Sequence, residues 1–234
     1  MKEQIKKTLE NKNAEDNLCV GVQLRVINPP RILVACEYSA IVREEFVKLG
    51  ADAWSCDILP SAIPGNHLQC DVMEILNNRW DAMIAFPPCT YLTCTANRVY
   101  INNPERWKKR LVAMKFVYDL LNASIDFIAL ENPVGAISTW IRKPEQYIQP
   151  YEFGHAISKK TGLWLKGFPL LKPTKVVEPE WIIDKTAGKR YSPTHYKTSS
   201  TNKPEIALLR GKTFLGIAEA MAAQWMPIIC SKNL

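Results

Sequence analysis

The residues best equipped for covalent chemistry stand in two short strings, Phe86-Pro87-Pro88-Cys89 and Glu131-Asn132-Pro133. Each follows an apolar run that reads as a buried parallel strand, Ala82-Met83-Ile84-Ala85 before the first and Phe127-Ile128-Ala129-Leu130 before the second. In an open α/β sheet, ligands and chemistry gather at the carboxyl ends of the strands. A thiol and a carboxyl group would then face one crevice. Cys89 as nucleophile and Glu131 as acid suit covalent attack on an electron-poor ring or carbonyl.

The elements that must position these groups follow from the apolar pattern. Ile32-Leu33-Val34-Ala35-Cys36 is a continuous apolar run, the first strand. Ser39 is placed to cap a helix with Ile41, Val42, Phe46 and Leu49 on one face, and Gly50 stops it. Ala53-Trp54-Ser55-Cys56 reads as a second strand ending in Asp57, and His67-Leu68-Gln69-Cys70 as a third ending in Asp71. The runs before Phe86 and Glu131 are the fourth and fifth. Between them, Asn103-Pro104-Glu105 opens a long helix to about Leu121. This alternation predicts an α/β fold with a doubly wound, mostly parallel sheet. Leu163 to Lys166 reads as a further strand, and Thr213 to Trp225 as a closing helix. The organisation expected is an N-terminal extension over 1–30, a catalytic domain over 31–170 and 206–234, and a basic loop or minimal recognition region over 171–205. Residues 1–18 read as a loose extension and Val20 to Ile27 as a strand.

Composition bounds the partners. Hydrophobic residues make up 47% of the chain, which excludes global disorder. A net charge of +7 and a pI near 9.0 suit a polyanion, nucleic acid first. Seven cysteines without a C-x-x-C pair and three scattered histidines argue against a metal site and for a reducing, cytoplasmic location. The polar start, Met1-Lys2-Glu3-Gln4, is unlike a signal peptide, and no apolar stretch is long enough to span a membrane.

The stretch Phe86-Pro87-Pro88-Cys89-Thr90-Tyr91-Leu92-Thr93 resembles the nucleophile loop of the DNA cytosine-5 methyltransferase family, Pro-Pro-Cys-Gln-x-Phe-Ser. Glu131-Asn132-Pro133 is similar to the family's Glu-Asn-Val signature. Ser158 to Trp164 resembles its Gln-x-Arg-x-Arg strand, and Gly211-Lys212-Thr213 its closing Gly-Asn-Ser. The resemblance covers roughly residues 31 to 225, in the family's order. It implies a Rossmann-like, S-adenosylmethionine-dependent methyltransferase fold and methylation of cytosine C5 in DNA. Cys89 would add to C6, and Glu131 would protonate or hydrogen-bond N3. Pro88, Asn132, Thr93 and Lys160 would contact the substrate, with Lys160 the nearest cation to the family's second arginine, where this chain has Gly162. A duplex base would have to be flipped out. Amino methyltransferases compete with this reading. Their loop begins with Asp, Asn or Ser and ends in Tyr or Phe, whereas Phe86 cannot hold an amine and Cys89 offers no ring for stacking.

S-adenosyl-L-methionine is the cofactor that the resemblance implies. Its contacts would come from Cys36, Glu37, Tyr38 and Ser39 after the first strand, Asp57 and Ile58 after the second, Asp71 and Val72 after the third, and Pro87 and Thr213. Asp57 stands where such folds place an acid on ribose hydroxyls. Cys36 replaces the family's aromatic residue, and Tyr38 and Ala40 occupy glycine-like places. The family's large recognition domain is replaced by the basic stretch holding Lys175, Trp181, Lys185, Lys189, Arg190, Tyr191, His195, Tyr196 and Lys197, in the manner of short phage-encoded methyltransferases. Cations interleaved with aromatic rings suit a nucleic-acid backbone and its bases; a solvated loop is the alternative. Arg98 is open to the same two readings. Two other functions stay open: the same chemistry on RNA or a free cytosine nucleotide, and a catalytically silent nucleic-acid-binding module.

Overall fold

Alternate residues of one strand serve two cores. A computed structural model of the chain describes residues 28–94, 97–183, 188–193 and 211–232. In strand β1 (Arg31–Ala35), Ile32 and Val34 join one apolar cluster while Leu33 and Ala35 join the other, and all four are fully buried. A strand buried on both faces must be apolar throughout, which is why these runs read so clearly.

Helix α1 (Ile41–Lys48) follows β1, and strands β2 (Asp52–Asp57), β3 (His67–Gln69) and β4 (Ala82–Ala85) come next. Helix α2 (Pro104–Leu121) leads to β5 (Phe127–Pro133), and the short helix α3 (Ala136–Trp140) to β6 (Gln146–Ile148). Then come β7 (Thr161–Lys166), a small pair β8 (Ile182–Ile183) and β9 (Arg190–Tyr191), and helix α4 (Leu215–Ser231). The central sheet has seven strands in the order β3-β2-β1-β4-β5-β7-β6. The first five are mutually parallel; β7 runs antiparallel to both β5 and β6. The architecture is α/β, with a mostly parallel sheet compatible with a Rossmann-like fold.

Chain order reverses between β1 and β4, so the loops leaving these neighbours run apart and open a crevice at their carboxyl ends. Helices α1 and α4 cover one face through Phe46, Ile217, Met221 and Trp225; α2 covers the other through Met114, Val117 and Leu120.

Several expectations need adjustment. Ser39 does not cap α1: its hydroxyl donates to Glu37, and the Glu37 carboxylate takes the N–H groups of Val42 and Arg43 at 2.8 and 3.3 Å. Asn103 does cap α2, accepting from the Arg106 N–H at 3.0 Å. The closing helix starts at Leu215, two residues beyond Thr213, and runs past Trp225 to Ser231. Cys70 lies outside β3. The stretch read as an unpatterned loop contains the β8–β9 hairpin and a bridge from Lys175 to Phe153. Val20 to Ile27, the 1–18 extension, Lys185, His195, Tyr196 and Lys197 lie outside the described residues. Among the described residues, no helix is long and apolar enough to cross a membrane.

Candidate active site

The register of β4 on β5 sets Ala85 beside Leu130, so Phe86, just past the end of β4, and Glu131, still within β5, stand side by side. The two strand ends are also bonded through their loops. Asn132, almost wholly buried, donates from Nδ2 to the Pro87 carbonyl at 2.8 Å. Beyond Pro87 the chain turns: the N–H groups of Leu92 and Thr93 donate to the Cys89 carbonyl at 2.9 and 3.1 Å. Thr93 then bridges Gly135, and Ala136 N–H donates to the Leu92 carbonyl at 2.7 Å. A Cβ at Gly135 would collide with the Leu92 carbonyl oxygen, so only glycine allows this approach. The 89–93 turn and the segment after Glu131 thus form one bonded unit.

Arginine closes that unit from the other side. Arg110 of α2 is buried and donates to the carbonyls of Tyr91 (2.8 Å) and Thr93 (3.3 Å) and to Asn97 Oδ1 (3.1 Å). Its guanidinium lies 3.6 Å from the centroid of the Tyr100 ring.

Glu131 lines a narrow cleft with Phe86, Lys159, Thr161, Thr213 and Phe214. Loss of water raises its carboxyl above the ordinary range, against the pull of the Lys159 ammonium and a hydrogen bond from Thr161. The cleft volume is about 20 Å³, room for a single water, so a pyrimidine enters only if its walls part. Cys89 is half-buried on the turn beside the cleft and is not one of its lining residues; Pro88 is exposed.

The pleat decides which lysine serves this cleft. On β7, Leu163 pairs with Glu131, and Thr161 lies two residues away on the same face. Lys159, two further along, follows that face. Lys160 falls on the other, where its ammonium sits 4.3 Å from the Tyr147 ring centroid. Sequence reading favours Lys160; the residue beside Glu131 is Lys159. A one-residue change of register reverses such an assignment.

The candidate cofactor residues gather at the ends of β1, β2 and β3. Cys36 and Ala40 both take left-handed backbone, φ 59° and 60°, matching the glycine-like place read for Ala40. Burial, then Asp57, Cys56 and Asp71, raises the Cys36 thiol, and burial with Cys70 pushes Cys56 up to about 12. These thiols stay protonated and are poor nucleophiles. Glu37 is buried and occupied with α1; burial raises its carboxyl despite those bonds. Tyr38 is likewise raised by burial and by Asp57. Asp57 holds the Leu59 N–H at 2.9 Å, Asp71 holds that of Met73 at 3.0 Å, Val72 is buried, and Ile58 is 74% exposed. Thr213 belongs with the Glu131 cleft instead.

Sequence reading misses Arg43. Its side chain is fully buried and donates to Ser55, Ser61 and the carbonyls of Ile63, Pro64 and Asn66, pinning the loop after Asp57. An arginine amid the polar face of a short helix carries no local sign of burial.

Among the described residues, no three His, Cys, Asp or Glu side chains gather where a metal could be held. No protein-family model matches this chain, and no curated protein matches it either.

Proposed function

We propose that this chain methylates cytosine at C5 in DNA, using S-adenosylmethionine, through a covalent bond between Cys89 Sγ and C6. The observation that carries the reading is the bond from Asn132 to the Pro87 carbonyl, which ties the Pro-Pro-Cys turn to the strand end bearing Glu131. The fold that goes with this reading is the S-adenosylmethionine-dependent methyltransferase form of the Rossmann-like sheet.

Cytosine C5 is a poor nucleophile. Addition of the Cys89 thiolate at C6 makes the ring enamine-like and places electron density on C5. Glu131 stays protonated at higher pH than an ordinary carboxyl, so it can give a hydrogen bond or a proton to N3. Lys159 and Thr161 then stabilise the carboxylate that remains. When bound, S-adenosylmethionine supplies the electrophilic methyl group that C5 takes up. Loss of the C5 proton to solvent and breakage of the Sγ–C6 bond restore the thiolate, and N3 returns its proton to Glu131 as the product leaves.

The ends of β1 to β3 fit an adenosine. Asp57 offers a carboxylate for ribose hydroxyls, and the exposed Ile58 beside it an apolar face for a base. Asp71 offers an acceptor for an amino group. Six described cysteines form no disulfide, although the Cys56 and Cys70 sulfurs are 3.9 Å apart, which suits a reducing cell interior. In the basic stretch, Arg190 lies 5.2 Å from the centroid of the Trp181 ring, a pairing suited to phosphate and base contact.

The test is trapping. DNA carrying 5-fluorocytosine cannot lose a C5 proton, so wild-type protein with cofactor should form an adduct stable to denaturing electrophoresis. Cys89→Ser should form none. No adduct with the wild type sinks the proposal. Digesting treated DNA and RNA to nucleosides and scoring 5-methylcytosine by mass spectrometry separates the two polymers.

A further inference from the structure

Behind the nucleophile turn, on the side away from the Glu131 cleft, α2 and α3 enclose a second cavity of about 500 Å³. That volume lies within the usual range for small-ligand sites. Its walls are aromatic. The indoles of Trp107 and Trp140 lie nearly parallel, 5.7 Å between centroids and 22° between planes, and Tyr100 meets Trp107 edge-on at 5.2 Å. Both indoles remain accessible, Trp107 at 37% and Trp140 at 51%. The buried guanidinium of Arg110 lines the cavity, as does Ser138, whose hydroxyl has no hydrogen-bond partner among the described residues.

The surroundings are cationic. From Arg106 to Arg110 the chain reads Arg-Trp-Lys-Lys-Arg. Arg106 lies 5.3 Å from the centroid of Tyr91 and 5.1 Å from that of Tyr100, and the exposed Lys109 lies 5.9 Å from Tyr91. Glu105, at the start of α2, is paired with Lys108 at 2.7 Å. Exposed rings with a flat face, a polar group at the back and cations at the rim are the parts of a site for an unpaired nucleobase. A purely apolar ligand would leave the Ser138 hydroxyl unanswered, and a bare anion would make no use of the indoles.

We propose that this cavity is a stacking site for a base of single-stranded nucleic acid, with Trp140 and Trp107 as the platform and the α2 cations holding the adjoining phosphates. The inference rests on the reading that the protein works on nucleic acid, and it deepens that reading. The strand held here is unpaired, and its site is back to back with the turn that bears Cys89.

The test uses the full chain, a fluorescein-labelled dT12 probe, and fluorescence anisotropy at fixed salt without cofactor. Trp140→Ala should weaken binding roughly 5- to 150-fold, the loss expected for one stacked base. Trp140→Phe should restore most of it, and circular dichroism should be unchanged in both. An rU12 arm tells whether the ribose matters. Equal affinity of wild type and Trp140→Ala, or no binding of either probe by the wild type, overturns the proposal. If Trp140→Ala fails to fold, dT12 carrying one 5-bromouracil is photocrosslinked to the wild type. Crosslinks in the peptides holding Trp107 or Trp140 support the site, and crosslinks only elsewhere overturn it. Neither probe contains cytosine, so failure here leaves the Cys89 reaction standing. A missing 5-fluorocytosine adduct would defeat that reaction and leave the stacking site untouched.

Discussion

The loop leaving β1 and the loop leaving β4 part from neighbouring strands, yet opposite means hold them. After β1, the ties stay within the stretch from Glu37 to Asn66: Glu37 holds the first N–H groups of α1, Arg43 within that helix fixes the 61–66 loop, and Ala62 N–H donates to the Tyr38 carbonyl. After β4, the ties come from two separate later elements, Asn132 of β5 and Arg110 of α2. The candidate cofactor end is therefore a self-contained module. The candidate chemical end depends on the assembly of three elements. Damage to the first should appear mainly as lost stability, and damage to the second as a displaced thiol.

The largest expected effect tests the first half of this contrast. Arg43→Ala empties a fully buried side-chain site and removes the bonds that hold the 61–66 loop, and should cost about 3 kcal/mol, roughly 6–12 °C in melting temperature. A shift under 2 °C by calorimetry would mean that the 61–66 loop is held by something else. Asn132→Ala removes the side-chain bond that joins the two motifs and should cost about 1–3 kcal/mol. Its rate of 5-fluorocytosine adduct formation should fall by a larger factor than that of Arg43→Ala, both measured well below their melting temperatures. Equal falls would erase the distinction between the two ends.

Glu131→Gln should slow turnover more than tenfold, a barrier rise above about 1.4 kcal/mol, with the fold intact. The same variant has a pH signature. A carboxyl raised by burial favours the fold while protonated, and that contribution is lost as pH climbs through its folded value. The melting temperature of Glu131→Gln relative to wild type should therefore rise from pH 4 to pH 8. A constant difference would mean the carboxyl is not raised. The smallest effect belongs to Glu37→Gln, about 1 kcal/mol or less, since an amide oxygen keeps part of the cap. Calorimetry should place its melting temperature within about 4 °C of the wild type.

Strands β1, β4 and the first half of β5 were legible because burial on both faces leaves no polar residue to blur the run, as in Ile32 to Ala35. Asn103 and Gly50 were legible because capping and the left-handed stop, φ 88° at Gly50, are local requirements. Residues whose partners are distant were not. Arg43 and Arg110 as buried ties, and Lys159 in place of Lys160, each depend on another segment's carbonyl or on strand register; Glu37 caps in place of Ser39 because its longer side chain reaches N–H groups five and six residues on. β6, β8 and β9 have two or three residues each, too few for any period to show. Of the proposed site, the pairing of the two motifs was written in the sequence; the narrowness of the cleft between them was not.

Gly135 carries a consequence for descent. With no space for even one methyl group against the Leu92 carbonyl, the two positions are bound to change together. A lineage that put alanine at 135 would have to reroute the 89–93 turn in the same step. This steric couple is a mark by which distant kin could be recognised after the surrounding motif letters had drifted.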